Sequence, residues 1–196
     1  MEKPASAQHE LHPLIKNRWS PRSFRAEPLA PGMLEQLLEA ARWAASCFNE
    51  QPWRYLVARR EDAPGFAAML ACLAESNQIW AKNASVLLLA VARTSFTHND
   101  KPNRHALHDV GQASASLSLQ ATALSLSVHQ MAGFDGDRAR VTYGIPDGFE
   151  PVTAIAIGYG GEPDALPEPL AERERAPRER RALTEIAFAG RWGEPI

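Results

Sequence analysis

Two cysteines, Cys47 and Cys72, are all that a chain of 196 residues contains. They provide neither a disulfide framework nor a CxxC metal site, so a reducing, cytoplasmic setting fits best. An excess of charge is also missing: 21 Lys and Arg against 23 Asp and Glu leave a formal net charge of -2. That balance gives no general attraction to nucleic acid. The first ten residues, Met1 to Glu10, are polar and lack the apolar core of a secretory signal. Gly158-Tyr159-Gly160-Gly161 follows an apolar run but lacks the GxGxxG pattern, and reads as a turn. His98, His105, His108 and Asp109 are the nearest thing to a ligand cluster. Residues 105 and 109 would be neighbours on a helix, yet no further ligand is placed by spacing, so no metal is expected.

One absence could mislead. From Val110 to Phe134 there is no Asp, Glu, Lys or Arg, a length that could span a bilayer. The same stretch holds Ser114, Ser116, Ser118, Thr122, Ser125 and Ser127, with Gln112, Gln120 and Gln130. That is too much polar side chain to face lipid. The expectation is a long helix from near His105, buried inside protein, and no membrane association.

What is present fits one globular domain over residues 1–196, with 45% hydrophobic and 22% charged residues. A first helix is expected over 8–17 and a second over 32–45, with Leu34, Leu37, Leu38 and Ala41 at helical spacing. A third helix is expected over 62–76. Strands are expected over 53–58, 85–92 and 152–159. The run from Ser85 to Ala92 is apolar throughout, as in a strand covered on both faces. Asp135 opens another short helix that Gly144 and Pro146 end. Beyond Gly161 the chain is rich in proline and charge, then carries scattered Ile186, Phe188 and Trp192. Residues from about 162 to 196 therefore read as a surface arm.

Two stretches carry chemistry. In Arg18-Trp19-Ser20-Pro21-Arg22-Ser23-Phe24, an extended backbone puts side chains 18, 20 and 22 on one face. Pro21 favours that backbone, because the residue before a proline is pushed out of the helical region. Two guanidinium forks and a hydroxyl then face the same way, which suits a phosphate monoester. The same pattern is also compatible with an exposed basic turn that binds nothing. In Ser46-Cys47-Phe48-Asn49-Glu50-Gln51-Pro52-Trp53 the carboxamides of Asn49 and Gln51 both donate and accept, as recognition of a heterocycle requires. A polar loop capped by a core tryptophan is the alternative. Cys47 has no activating base nearby in sequence, which argues against a thiol nucleophile.

Taken together these stretches resemble the nitroreductase family of flavoproteins. Other pieces match in order: Asn77 and Trp80 ahead of the apolar strand, His108-Asp109-Val110-Gly111 opening the long helix, and Gly133-Phe134-Asp135 closing it. Arg178 to Ile186 resembles the family's basic C-terminal signature. The resemblance covers residues 11–192. It implies an α+β fold, a central, mostly antiparallel sheet flanked by helices, and an interlocked homodimer with an extended C-terminal arm. It also implies one FMN at each of two interfaces. The FMN phosphate would be held by Arg18, Ser20 and Arg22, and by Arg178 and Arg180 from the arm. Trp19 would lie against the ribityl chain or ring. Asn77 and Lys82 would face the pyrimidine edge, where a positive charge favours the anionic reduced flavin. Met131, Ala132 and Gly133 would give backbone contacts near the reactive nitrogen. Ser46, Cys47, Phe48 and Asn49 would come from the partner subunit and line the ring and substrate pocket, and Gln51 would be a further cofactor contact.

The activity implied is ping-pong hydride transfer from NADH or NADPH, through FMN, to a nitroaromatic, quinone or similar small acceptor. Because the flavin does the chemistry, no catalytic side chain is named. Two departures leave other readings open. Ala45 stands where family members often carry proline, and Ala132 where some carry an acid. Little beyond 94–104 and 162–177 could form a lid. A flavin-sequestering protein with little turnover, or a different flavin reaction such as dehalogenation or dehydrogenation, is the alternative.

Overall fold

The structure, a computed structural model, describes all 196 residues. Four antiparallel strands form its centre in the order β1-β2-β4-β3. They are β1 (Trp53–Arg59), β2 (Val86–Arg93), β3 (Ser127–Met131) and β4 (Phe149–Gly158). β2 lies inside the sheet, and its alternate side chains serve two cores. Leu87, Leu89 and Val91 point to one face, and Val86, Leu88, Ala90 and Ala92 to the other. Both faces are covered by helices, which is why the run is apolar without alternation although its pairing is antiparallel.

On the first face pack α3 (Ala63–Ala71), α4 (Glu75–Ala81) and α6 (Gly136–Tyr143), through Phe66, Met69, Trp80 and Ala139. On the second lie α2 (Met33–Arg42) and α5 (Ala106–Ala123), with Leu34, Leu37, Val110, Ala113 and Leu117 fully buried. The N-terminal α1 (Pro13–Asn17) is shorter than its sequence pattern predicts, because Pro13 sits in its first turn and His12 caps it through the amide of Leu14.

The long uncharged stretch is not one helix. α5 ends at Ala123, Ser125 adopts φ 57, and the chain continues as edge strand β3. Leu126 donates back to the Ala121 carbonyl at 2.8 Å, closing the turn. Gly133-Phe134-Asp135 therefore closes a strand rather than a helix. The predicted third helix likewise divides at 72–74. Leu73 bridges to Phe134, and Ala74 donates to the Gly133 carbonyl at 2.9 Å.

The arm begins inside the core. Leu166 and Ala171 are buried against the first face, the latter on α7 (Leu170–Arg175). From Ala182 onward the chain has no buried residue, and its end folds on itself through Phe188 and Pro195.

Candidate functional site

Segment 18–24 lies at the Gly158 end of β4. Phe24 bridges to Gly160, Arg25 donates to the Tyr159 carbonyl, and Gly161 donates to the Ser23 carbonyl at 2.9 Å. A Cβ on Gly161 would stand 2.6 Å from Ser23 Oγ, so this close approach needs glycine. Arg18 leaves α1 with extended angles (φ -63, ψ 123), and its Nη1 donates to Ser20 Oγ at 3.4 Å. Ser23 and Phe24 are buried, while Arg18 and Arg22 stay half-buried.

The arm reaches this segment. Arg18, Ser20 and Arg22 share a cavity of about 190 Å³ with Arg173, Arg178 and Arg180 from the arm and Lys3 from the N-terminus. Six basic groups thus line one small hollow, and none of them forms an ion pair with a carboxylate. Burial pushes the Arg18 guanidinium below its ordinary pKa, and Arg178 and Arg180 add to the effect. Arg178 is lowered by burial and by Arg180. The buried Glu174 carboxylate lines the hollow too, so six crowded, partly desolvated cations face one carboxylate and are stabilised by a further anion placed among them. The donor set fits a phosphate group.

Arg178 also has structural work. Its two terminal nitrogens donate to the carbonyls of Lys3, Lys16 and Arg18 at 2.7–3.0 Å, stapling the arm to the N-terminal region. Glu174, which sequence reasoning missed, is 2% exposed. Its carboxylate accepts the amides of Arg22 (2.9 and 3.1 Å) and Ser23 (3.0 Å).

His129 on β3 is a second residue that sequence reasoning missed. Its Nδ1 faces the Pro21 carbonyl at 3.0 Å and so must carry the ring proton as donor. The ring lies 4.6 Å from that of Trp80. Burial, helped by the Arg22 charge and opposed by the Pro21 and Ser20 carbonyls, pushes its pKa down to about 4. Between pH 6.5 and about 4 the unfolded chain therefore takes up a proton that the folded chain refuses. Stability from this group is complete above pH 6.5 and is lost as pH falls towards 4, by at most about 3 kcal/mol. His129→Gln is expected to flatten that part of the stability profile. Denaturant unfolding at pH 7 and pH 4.5 checks it, and equal losses in parent and variant would remove His129 from the account.

Two residues beyond His129 lie Met131, Ala132 and Gly133. Asn77 Nδ2 donates to the Gly133 carbonyl at 2.9 Å, and a Cβ on Gly133 would meet that nitrogen at 2.7 Å. Asn77 thus locks the strand end, and Ala132 is exposed beside it. Segment 18–22 meets edge strand β3 at His129, and the strip of that strand runs on to its end at Met131. Lys82 does not join Asn77. It is the exposed C-cap of α4, five residues on, which is about 140° around a helix.

Ser46, Cys47, Phe48, Asn49 and Gln51 are elsewhere. Their loop leads into β1, whose Trp53 pairs with Ala92 at the end of β2 that also pairs with Phe149. β4 has ten residues, so this end of the sheet is about 30 Å from the Gly158 end. The loop is rigidly held. Cys47 N–H donates to the buried Asp109, and Glu50 accepts from Thr97 N–H and Oγ. Phe48, Asn49 and Gln51 all have positive φ (53, 55 and 51). Phe48 is 83% exposed and packs edge-on to Phe96 at 5.9 Å.

A family model described as the Nitroreductase family matches residues 15–159. The chain belongs to that family. It is 38% identical over 149 residues to an "Uncharacterized 15.4 kDa protein in ask 5'region" of Mycolicibacterium smegmatis, covering 73% of this chain and 99% of that protein. An NADH dehydrogenase of Thermus thermophilus is 28% identical over 172 residues, which is 74% of this chain and 84% of that enzyme. Among solved structures, an oxidoreductase containing FMN is 38% identical with a TM-score of 0.91, covering 96% of both chains. The nitroreductase fold and its antiparallel sheet are as the sequence resemblance implied. No helix is long and apolar enough to cross a membrane.

Proposed function

We propose that this nitroreductase-family chain binds FMN between two copies of itself and works as an NAD(P)H-dependent oxidoreductase. The observation that carries the reading is the convergence of Arg18, Ser20 and Arg22 with Arg178 and Arg180, from opposite ends of the polypeptide, on one phosphate-sized cavity. When bound there, FMN supplies the hydride chemistry, accepting from NADH or NADPH and donating to a nitroaromatic, quinone or similar acceptor. The basic cluster holds the phosphate, and the strip along β3 leads from it to Met131, Ala132 and Gly133. There, exposed backbone locked by Asn77 presents a flat, glycine-bearing edge to the ring system. The rigid loop Ser46–Gln51 of a second copy covers that ring, with Phe48 and the carboxamides of Asn49 and Gln51 as its contacts.

Arg22→Ala is expected to weaken FMN binding by about 1.5–3 kcal/mol, the scale of a charge-assisted hydrogen bond. Quenching of flavin fluorescence measures it, with riboflavin as the phosphate-free comparison. An unchanged FMN dissociation constant would remove Arg22 from the site. Turnover is tested by mixing holoprotein with NADH and with NADPH without oxygen. Rapid bleaching of the yellow colour marks the oxidoreductase, and persistence of the colour marks a flavin-holding protein.

A further inference from the structure

The N-terminal segment precedes the region that the family model matches, yet it is bound to the basic cavity at one point, Lys3. Exposed chain ends are ordinarily loosely held. Here the Lys3 carbonyl accepts from Arg178 Nη1 at 2.7 Å, and Lys3 Nζ donates to the Glu174 backbone carbonyl at 2.6 Å. The ammonium also sits 4.8 Å from the centre of the Trp19 ring. Ala5 N–H donates to the Lys16 carbonyl at 2.8 Å, fixing the strap on its other side.

We infer that Lys3 is a further phosphate-binding residue, so that the N-terminal strap is part of the cofactor site rather than an appendage. The inference rests on the FMN reading above. An ammonium has three donors, and the Glu174 carbonyl takes one. Two are left on a group that lines the same cavity as Arg18, Ser20 and Arg22. The strap brings in this charge from outside segment 18–24, through backbone that Arg178 holds in place. Burial lowers the Lys3 pKa, Glu174 opposes this, and Arg178 and Arg22 lower it further. A dianion in the cavity would reverse the last two effects. A clamp that only tied down the N-terminus would use the ammonium on the Glu174 carbonyl and the Trp19 ring, and its loss would weaken FMN and riboflavin alike.

Lys3→Met keeps the stem against Trp19 and removes the charge. Its FMN dissociation constant is expected to rise about five- to tenfold, a partly exposed version of a charge-assisted contact, while riboflavin affinity stays unchanged. Lys3→Arg is expected to recover most of the loss, and deletion of residues 1–4 to reproduce it. Fluorescence titration with FMN and with riboflavin reads all three variants, and a thermal melt reports their folding. If Lys3→Met and the deletion bind FMN like the parent while Arg22→Ala does not, the inference falls and the FMN reading stands. If Lys3→Met weakens FMN and riboflavin equally, Lys3 acts through the fold and the inference also falls. If neither Lys3→Met nor Arg22→Ala changes FMN binding, the phosphate reading itself is overturned.

Discussion

Glu174→Ala is expected to remove about 2–4 kcal/mol of the free energy holding the arm on segment 18–24, and to lower FMN affinity at least tenfold with it. The carboxylate is 2% exposed and accepts two backbone amides, Arg22 and Ser23, at about hydrogen-bond optimum. Alanine leaves both donors without a partner where water has little access, and each costs about 1–3 kcal/mol. An opposing effect exists. Removing a negative charge beside a phosphate site favours the phosphate, by up to about 4 kcal/mol for unit charges about 4 Å apart at surface-like dielectric. An arm that no longer docks takes Arg173, Arg178 and Arg180 away from the same phosphate, and that larger loss decides the sign. Glu174 is also the one carboxylate among the six basic groups that line the cavity. Hydrogen exchange at the Arg22 and Ser23 amides, with proteolysis of the arm, measures the first effect, and flavin titration the second. Glu174→Gln keeps the shape and one acceptor oxygen, so it is expected to lose less. Parent-like amide protection and FMN affinity in Glu174→Ala would show that the arm is held by something else.

Glu174 shows why part of this site could not be read from sequence. It lies in Glu172-Arg173-Glu174-Arg175, where alternating charge looks like any solvated surface, and only the tertiary fold turns one of its carboxylates inward. Arg18, Ser20 and Arg22 were legible because their grouping is local: alternation along five residues is enough to put them on one face. β2 was legible for a similar reason, since a run buried on two faces is apolar at every position. β3 was not, because Val110 to Phe134 keeps one composition across a helix, a turn and a strand. The break at Ser125 carries no glycine or proline to announce it. The division of the third helix at 72–74 depends on pairing with Phe134 and Gly133, some sixty residues away, which no local window contains. Lys82 looked adjacent to Asn77 in sequence, and the helical turn between them sends it to solvent. Sheet order decides the most consequential fact, that the loop Ser46–Gln51 lies at the far end of the sheet from Arg18.

That separation leads to an all-or-none expectation: two variants that each fail to bind FMN should restore binding when assembled together. Arg18→Glu/Arg22→Glu destroys the phosphate end, and Phe48→Asp/Asn49→Asp destroys the covering loop. About 30 Å of sheet lies between them within one chain, too far for one FMN to touch both. A site that uses both needs a second copy. The isolated protomer has surface for one. Phe48 and Trp192 are 83% and 92% exposed, Ile186 and Ile196 are exposed as well, and Leu107, Gly111 and Ala115 form an open stripe along α5. Uncovered apolar area of this kind is costly in a soluble monomer. The three left-handed residues of the loop, Phe48, Asn49 and Gln51, hold strain of about 1 kcal/mol or more each, which bound contacts must offset. In a dimer of one variant with the other, one site has both defects and one has neither. Co-expression at equal levels makes about half of the dimers mixed, so about a quarter of all sites should take up FMN, against none in either variant alone. Flavin absorbance per protomer, read on the dimer peak of a sizing column, measures it. Uptake by a monomeric parent, or none in the mixed dimers, would place both halves of the site on a single chain or dissociate the loop from the flavin altogether.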